Sequence, residues 1–352
     1  MSIRTSLKKV LPPISVTEQE ALDAGDVWIE SSIYQGKPDM QALRDIPQAK
    51  LSAEEQAFMD GPVTELLNMI DDFELGNGKH IPQEILDFLG KNRFFSMIIP
   101  KKFGGLEFSP YANSTIVATI AAKSGAIAVT VMVPNSLGPG ELLMHYGTSE
   151  QQDYWLPRLA DGRDIPCFAL TSPEAGSDAG AIPDAAIVTK GEYNGEEVLG
   201  LRVSWDKRYI TLAPIATVLG LAFKVFDPDQ LLGEKLELGI TCALLPKSHP
   251  GVELGNRHDP MGVRFYNGTT RGQDVFIPMD FIIGGQKNIG RGWQMLVSCL
   301  GAGRGISLPA MGVATAQSAF KGTVEYSFVR EQFGLPIGLP FRSKRHWQCN
   351  GI

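Results

Sequence analysis

The spacing of apolar residues changes twice along the chain. From Thr17 to about Ala160, apolar positions recur every three or four residues, which predicts helices with one buried face. Beyond Asp164 the period approaches two, in segments rich in β-branched and aromatic residues with Gly, Pro and Asn-Gly between them. After Gly292 the helical period returns. The pattern predicts an α+β chain, with an N-terminal all-α domain, a middle antiparallel β-domain and further helices behind it.

Local signals predict where several of these elements begin. Three capping boxes predict helix starts, at Thr17 to Glu20, Ser52 to Glu55 and Thr148 to Gln151. Pro82 and Pro110 suit the first position of a helix. Along one such helix, the predicted buried face holds Leu66, Leu67, Ile70 and Phe73. The predicted strands are 186–188, 198–203, 216–226, 239–245 and 274–278.

Composition narrows the classes of function. The chain has 352 residues, enough for two or three domains, with a formal charge of −7, which argues against nucleic-acid binding through a basic surface. Its cysteines and histidines show no metal-ligand spacing, so we expect no metal site and a reducing compartment. No apolar run follows the first basic residues, so no signal peptide is predicted. The apolar stretch 115–133 contains Lys123 and Ser124, which favours a buried helix pair over a membrane span.

One segment, residues 167–180, begins as an apolar strand and ends in small, turn-forming residues. Gly176 and Gly180 carry no Cβ, so their backbone N–H groups can approach an anion closely, and Ser177 adds a hydroxyl. Taken alone, Gly-Ser-Asp is more typical of a turn that leaves a strand. The segment as a whole carries more information than this triplet.

Read in full, the segment resembles the signature of the flavin-dependent acyl-CoA dehydrogenases: an apolar strand, Thr-Glu-Pro, two small residues and Gly-Ser-Asp. The order and spacing match at Thr171, Pro173, Gly176, Ser177 and Asp178. The chain departs at Ser172, where the family has Glu. The resemblance implies that Ser177 also touches the acyl-CoA, and that FAD is contacted by Phe168, Ala169, Leu170, Thr171, Gly176 and Ser177.

A second segment, Lys207 to Thr211, resembles the family's Lys-x-Trp-Ile-Thr motif. The likeness implies that Tyr209 covers the isoalloxazine ring, that Ile210 lies at the site and that Thr211 donates a hydrogen bond near the flavin N5. Taken alone, the pentapeptide reads as a strand with a half-buried Tyr and an exposed Thr. Its place shortly after the Gly-Ser-Asp segment favours the flavin interpretation.

Further matches follow along the chain. The segment 134–140 resembles a family loop near the acyl pocket, although an ordinary helix–helix turn explains it equally well. Arg304 matches an Arg that faces the thioester region of CoA. Arg330 and Phe333 match the family's Arg-x-x-Phe-Gly, which implies that they bind the FAD pyrophosphate and the adenine side across a subunit interface. As a bare tetrapeptide, Arg-x-x-Phe is a helix end with a favourable cation.

The resemblance is continuous to Gly338 and looks most like the long bacterial FadE-type enzymes of fatty-acid β-oxidation; residues 339–352 form an atypical tail. It implies an N-terminal extension (1–50), an α-helical domain (51–163), a β-barrel-like middle domain (164–285) and the first helices (286–338) of a C-terminal bundle that is mostly absent. We therefore expect a chain truncated after Gly338. The catalytic base is unknown and expected beyond the end of the chain, since Gly303 stands where some members carry it, and Glu174 is a weak substitute.

The function implied is an FAD-dependent acyl-CoA dehydrogenase that converts medium- or long-chain acyl-CoA to trans-2-enoyl-CoA and passes electrons to an electron-transfer flavoprotein. The intact parent is expected to be a cytoplasmic homo-oligomer, and the resemblance allows peripheral contact with the inner face of the membrane. Two alternatives remain open. One is a truncated fragment without catalysis, and the other is an acyl-CoA oxidase, which shares the flavin loop.

Overall fold

The computed structural model describes residue 19 and residues 29–78, 80–136, 138–262 and 264–338, without the side chains of Met261, Ala302 and Arg304. Three predictions lie outside these residues: the capping box at Thr17, most of the first half of the N-terminal extension, and the atypical tail 339–352.

Short helices build the N-terminal part. The first six are α1 (Glu30–Tyr34), α2 (Met40–Arg44), α3 (Ala53–Phe58), α4 (Thr64–Met69), α5 (Asp72–Asn77) and α6 (Gln83–Lys91), and a π-helical turn (Met59–Val63) joins α3 to α4. The next four are α7 (Pro110–Lys123), α8 (Gly125–Met132), α9 (Pro139–Tyr146) and α10 (Ser149–Ala160). Both described capping boxes are confirmed, at Ser52 and Thr148. Pro110 opens α7 as predicted, whereas Pro82 is the residue before α6.

One predicted helical face is interrupted. Leu66 and Ile70 are buried, but Phe73 is 76% exposed, so its predicted place on this face is wrong. The reason is local, because α4 ends at Met69 and Ile70 has extended backbone before α5 begins. A break of this kind rotates the following turn away from the core. The predicted pair of buried helices at 115–133 is confirmed as α7 and α8, which meet at the buried Ser124.

The middle part is a seven-stranded sheet in the order β1-β4-β2-β3-β7-β6, with β5 paired to β4. Its strands are β1 (Pro166–Ala169), β2 (Ala185–Tyr193), β3 (Glu196–Thr211), β4 (Val218–Phe226), β5 (Glu237–Pro246), β6 (Glu253–Arg257) and β7 (Asn267–Pro278). Asn194 and Gly195 both have positive φ, which is the geometry of the tight turn that joins β2 to β3.

The sheet differs from the prediction in one respect. It is mostly antiparallel, but β4 pairs in parallel with both β1 and β2. Only strands joined by a short turn must run antiparallel. A long connection follows β1, so β1 and β2 are not hairpin partners and can both run alongside β4.

A 38-residue helix, α11 (Gly292–Val329), leads away from the sheet and is followed by a hairpin of β8 (Glu331–Gln332) and β9 (Leu335–Pro336). The first part of α11 is buried against α7, α9 and β5. By length and composition α11 could cross a membrane, a test that core helices also pass. Its second half exposes several apolar side chains, including Val313, Phe320, Tyr326 and Val329.

Candidate flavin site

The first matched segment leaves the core at the end of β1. Phe168 and Ala169 lie inside the strand and are buried, so they offer a ligand little beyond their backbone. Leu170 and Thr171 follow the strand and are half-buried. Gly176 and Ser177 are exposed further along, in what we call the Gly-Ser-Asp loop (residues 170–178). The half of the segment that can meet a ligand through side chains is therefore this loop.

The second matched segment is a bulge in β3. The register between β3 and β7 shifts between Lys207 and Ile210, and we call residues 207–211 the β3 bulge. Within it Tyr209 has φ of +55°, a strained backbone for a residue with a side chain, and its ring is 51% exposed. Ile210 points into the core and Thr211 is half-buried. The bulge thus turns an aromatic ring out of the sheet, a common use of bulges beside binding sites.

The structure brings the loop and the bulge together. The backbone N–H of Arg208 donates to the carbonyl oxygen of Thr171 at 3.1 Å. The Arg208 guanidinium also donates to the carbonyl oxygen of Pro173, at 2.9 Å. Two segments whose contacting residues are at least 35 positions apart in sequence therefore border one surface.

A buried ion pair also connects the loop to the bulge. The Lys207 ammonium is completely buried and lies 2.5 Å from Oδ2 of Asp184, whose side chain is 1% exposed. It also donates to the Leu170 carbonyl oxygen at 2.8 Å and to Oγ of Ser172 at 3.2 Å. Burial lowers the pKa of Lys207, and Asp184 opposes that shift. We call Lys207, Asp184 and Ser172 the lysine node.

The lysine node accounts for the departure at Ser172. Its side chain is fully buried, and its hydroxyl donates to Oδ2 of Asp184. The other carboxylate oxygen of Asp184 accepts from the backbone N–H of Asp206 at 2.9 Å. Sequence reasoning missed Asp184 altogether. Lys207 was singled out only as the first residue of the matched motif. The residues around it in sequence do not indicate that it is buried.

The remaining matched residues lie elsewhere. Arg330 is exposed at the end of α11, and the ring of Phe333 is fully exposed in the turn between β8 and β9. A helix of this length spans about 57 Å, so α11 carries both residues away from its own buried first turns. Arg304 lies within α11, and its side chain is outside the described set. Within the described chain, the loop and the bulge are thus brought together without Arg330 and Phe333.

The loop predicted near the acyl pocket packs directly on α11. Asn135 and Ser136 are buried, and the Asn135 amide donates to the carbonyl oxygens of Phe94 and Val131. A Cβ placed on Gly303 would lie 2.5 Å from the Ser136 carbonyl oxygen and 2.7 Å from its Cα. No side chain fits at position 303 unless the backbone moves, so this glycine sets the distance between the loop and α11.

Another titratable group sits beside α11. Burial raises the pKa of Glu141, in the first turn of α9, to about 7. Its carboxyl group is half-buried and close enough to Cys299 to act on that thiol, whose pKa burial raises to about 12. Sequence reasoning did not single out Glu141, because an acid in the first turn of a helix is common.

Glu141 is expected to make stability depend on pH. A carboxyl whose pKa is raised by folding binds its proton more tightly in the folded state, so its stabilising contribution is present below the unfolded pKa of 4.5 and is lost as the pH rises through about 7. Urea unfolding of the wild type should show this fall in stability across that range, and Glu141→Gln should remove part of it. Equal pH slopes for the two proteins would contradict the assignment.

Two family models match the chain. The N-terminal domain of the acyl-CoA dehydrogenases matches residues 48–163, and the middle domain of the same family matches residues 167–275. Together they span most of the chain, including the loop and the bulge.

Individual proteins of known sequence are also similar to this chain. Over 295 residues the chain is 30% identical to a probable acyl-CoA dehydrogenase, FadE10, of Mycobacterium tuberculosis, covering 83% of this chain and 42% of that protein. It is 31% identical over 275 residues to CarC of Acetobacterium woodii, a subunit of a caffeyl-CoA reductase–Etf complex, covering 78% and 66%. The chain thus spans from two-fifths to about two-thirds of these relatives.

Solved structures show the same fold. The butyryl-CoA dehydrogenase of Megasphaera elsdenii superposes with a TM-score of 0.69 at 23% identity, covering 83% of this chain and 73% of that one. An identity this low supports a shared fold and nothing more. That fold consists of a helical domain, a curled sheet and a C-terminal helix. Taken with the two domain matches, these likenesses show that the chain belongs to the acyl-CoA dehydrogenase family.

Proposed function

We propose that this chain carries the main flavin-binding surface of an FAD-dependent enzyme that oxidises a medium- or long-chain acyl-CoA to the trans-2-enoyl-CoA. The observation that carries the proposal is the hydrogen-bonded contact between the Gly-Ser-Asp loop and the β3 bulge. Both segments match the family's flavin signatures, and they border one surface instead of lying on opposite faces of the sheet.

The residues at this surface suit a planar ring with polar edges. The exposed ring of Tyr209 offers a flat apolar face. The hydroxyls of Thr171, Ser177 and Thr211 and the backbone at Leu170 offer hydrogen bonds at its border. When bound, FAD supplies the acceptor for the hydride that leaves the β-carbon of the acyl group. The chain's own part is to hold the ring at a fixed angle and to place the thioester beside Ser177.

The α-proton needs a base, and the described carboxylates beside this surface are poorly placed to serve as one. Glu174 and Asp178 are exposed to solvent on the loop, and Asp184 is buried in the lysine node. A base at position 303 is excluded by the contact with Ser136. This favours a second candidate for the isolated chain, namely FAD binding without turnover.

The same proposal implies two partners, an electron acceptor and a second copy of the chain. We propose an electron-transfer flavoprotein as the acceptor of electrons, supported by the complex in which the relative CarC takes part. We also propose a cytoplasmic homo-oligomer. The exposure of Arg330 and Phe333, just after the C-terminal end of α11, suits a contact with the flavin of a second subunit.

The test is the visible spectrum of the purified chain after incubation with FAD and removal of the free cofactor. We expect a retained flavin band. Thr211→Val is expected to raise the Kd for FAD about tenfold, the value of one net hydrogen bond in a partly buried site. A chain that keeps no flavin at any FAD concentration contradicts the proposal.

Anaerobic addition of palmitoyl-CoA separates the candidates. Bleaching of the flavin band supports dehydrogenation. A retained band that does not bleach supports FAD binding without turnover. Hydrogen peroxide formed in air at the rate of substrate oxidation supports an acyl-CoA oxidase instead.

A further inference from the structure

A buried side-chain oxygen without a hydrogen-bond partner among the described residues lies where β6, β7 and the β3 bulge meet. Asn267 is 5% exposed, and its Oδ1 is fully buried with no partner among the described residues. Its backbone is paired, since its carbonyl oxygen accepts from the His258 N–H at 2.6 Å. Buried polar side chains are nearly always hydrogen-bonded, so an unpaired one requires an explanation.

The position of Asn267 relative to the bulge is set by the strand register. Asn267 is the first residue of β7 and lies directly opposite Thr211 of β3. Residues opposite each other in an antiparallel pair have their side chains on the same face, with Cβ atoms about 4.5–5.5 Å apart. The side chain of Asn267 therefore lies on the same face of the sheet as that of Thr211 and beside it.

Two other unpaired groups are close by. Nε2 of His258 is buried without a partner, and its ring packs on that of Tyr209 with centroids 4.7 Å apart. Nη1 of Arg257 is also unpaired, but Arg257 lies opposite Gly268 and its charge acts on Tyr266, which belongs to the other face of the strand. Asn267 is thus unpaired on the face of Thr211, and the unpaired Nε2 of His258 lies beside it against the Tyr209 ring.

We propose that Asn267 is a further flavin-contacting residue, whose carboxamide pairs with the polar edge of the ring beside Thr211; this rests on the proposed function. A carboxamide carries both donors and an acceptor. The pyrimidine edge of a flavin likewise alternates carbonyl oxygens with an N–H. A single hydroxyl at Thr211 cannot satisfy such an edge, whereas Thr211 and Asn267 together offer donors and an acceptor side by side.

The substitution Asn267→Leu has two effects of opposite sign. It removes an unpaired polar group from the ligand-free protein, so the thermal midpoint without FAD is expected to stay equal or to rise. It also removes a hydrogen bond to the ring, so the Kd for FAD is expected to rise about tenfold. The reduction potential of the bound flavin is expected to shift, which a residue with a purely structural role would not cause.

The matched control is Asn113→Leu. Asn113 lies in α7, is 3% exposed and also has an unpaired Oδ1. Its substitution should leave the Kd and the potential of the flavin unchanged. If Asn267→Leu does not fold, Asn267→Ala is measured in the same way.

The outcomes separate this inference from the proposal on which it rests. A wild-type chain that binds no FAD contradicts the proposed function itself. A wild type that binds FAD, with an Asn267 variant of equal affinity and equal potential, overturns the inference alone and leaves an ordered water as the partner of the carboxamide.

Discussion

Lys207→Met is expected to destabilise the folded chain by about 3–5 kcal/mol, because it leaves the Asp184 carboxylate buried without a counter-charge. The same variant should bind FAD more weakly, since Lys207 also holds the Leu170 carbonyl oxygen at the start of the Gly-Ser-Asp loop. Urea unfolding measures the first effect and FAD titration the second.

The double variant Lys207→Met with Asp184→Leu separates the two effects. Replacing both partners of a buried ion pair by apolar groups costs much less than removing one, so most of the stability should return. FAD affinity should stay low if the node positions the loop. Full recovery of FAD affinity would show that the node serves stability alone. The control is Arg271→Met, which breaks the exposed pair with Asp206 on the neighbouring strand and should change neither quantity.

Gly303→Ala is expected to destabilise the chain by about 1–3 kcal/mol, because the new methyl group would overlap the backbone of Ser136. Gly303→Glu should destabilise the chain more than Gly303→Ala. Its carboxylate should not serve as the catalytic base. Alanine normally stabilises a helix relative to glycine, so the expected sign is the reverse of the usual one.

Gly301→Ala provides the comparison within the same helix. A Cβ at position 301 would have nothing within 4 Å. The variant should therefore gain about 0.5–1 kcal/mol from helix propensity. Both variants are compared by urea unfolding under one set of conditions. If Gly303→Ala is as stable as Gly301→Ala, the loop and α11 are not in close contact.

The features that sequence predicted well are those decided by neighbours in the chain. The capping boxes at Ser52 and Thr148 need only four residues each, and the break at Ser124 between α7 and α8 follows from a polar interruption of an apolar run. The two flavin segments were recognised because their residues are consecutive. The Asn194-Gly195 turn likewise fixes a hairpin from two residues.

The features that sequence could not reveal depend on distant pairs. Lys207 and Asp184 are 23 residues apart, and each alone reads as a surface charge, since such residues are rarely buried unless paired. The position of Asn267 beside Thr211 follows only from the strand register, which pairs the two residues and which the sequence does not reveal. β6 escaped prediction because its burial pattern has no alternating buried face. The parallel pairing of β4 depends on a long connection whose path no local signal gives.

The most direct test of the account is a crystal structure of this chain grown with FAD. We predict that the isoalloxazine ring lies between the Gly-Ser-Asp loop and the β3 bulge, with Tyr209 over its face and Thr211 hydrogen-bonded to its edge. A ring bound at any other surface, with Tyr209 and Thr211 out of contact with it, would contradict the central claim.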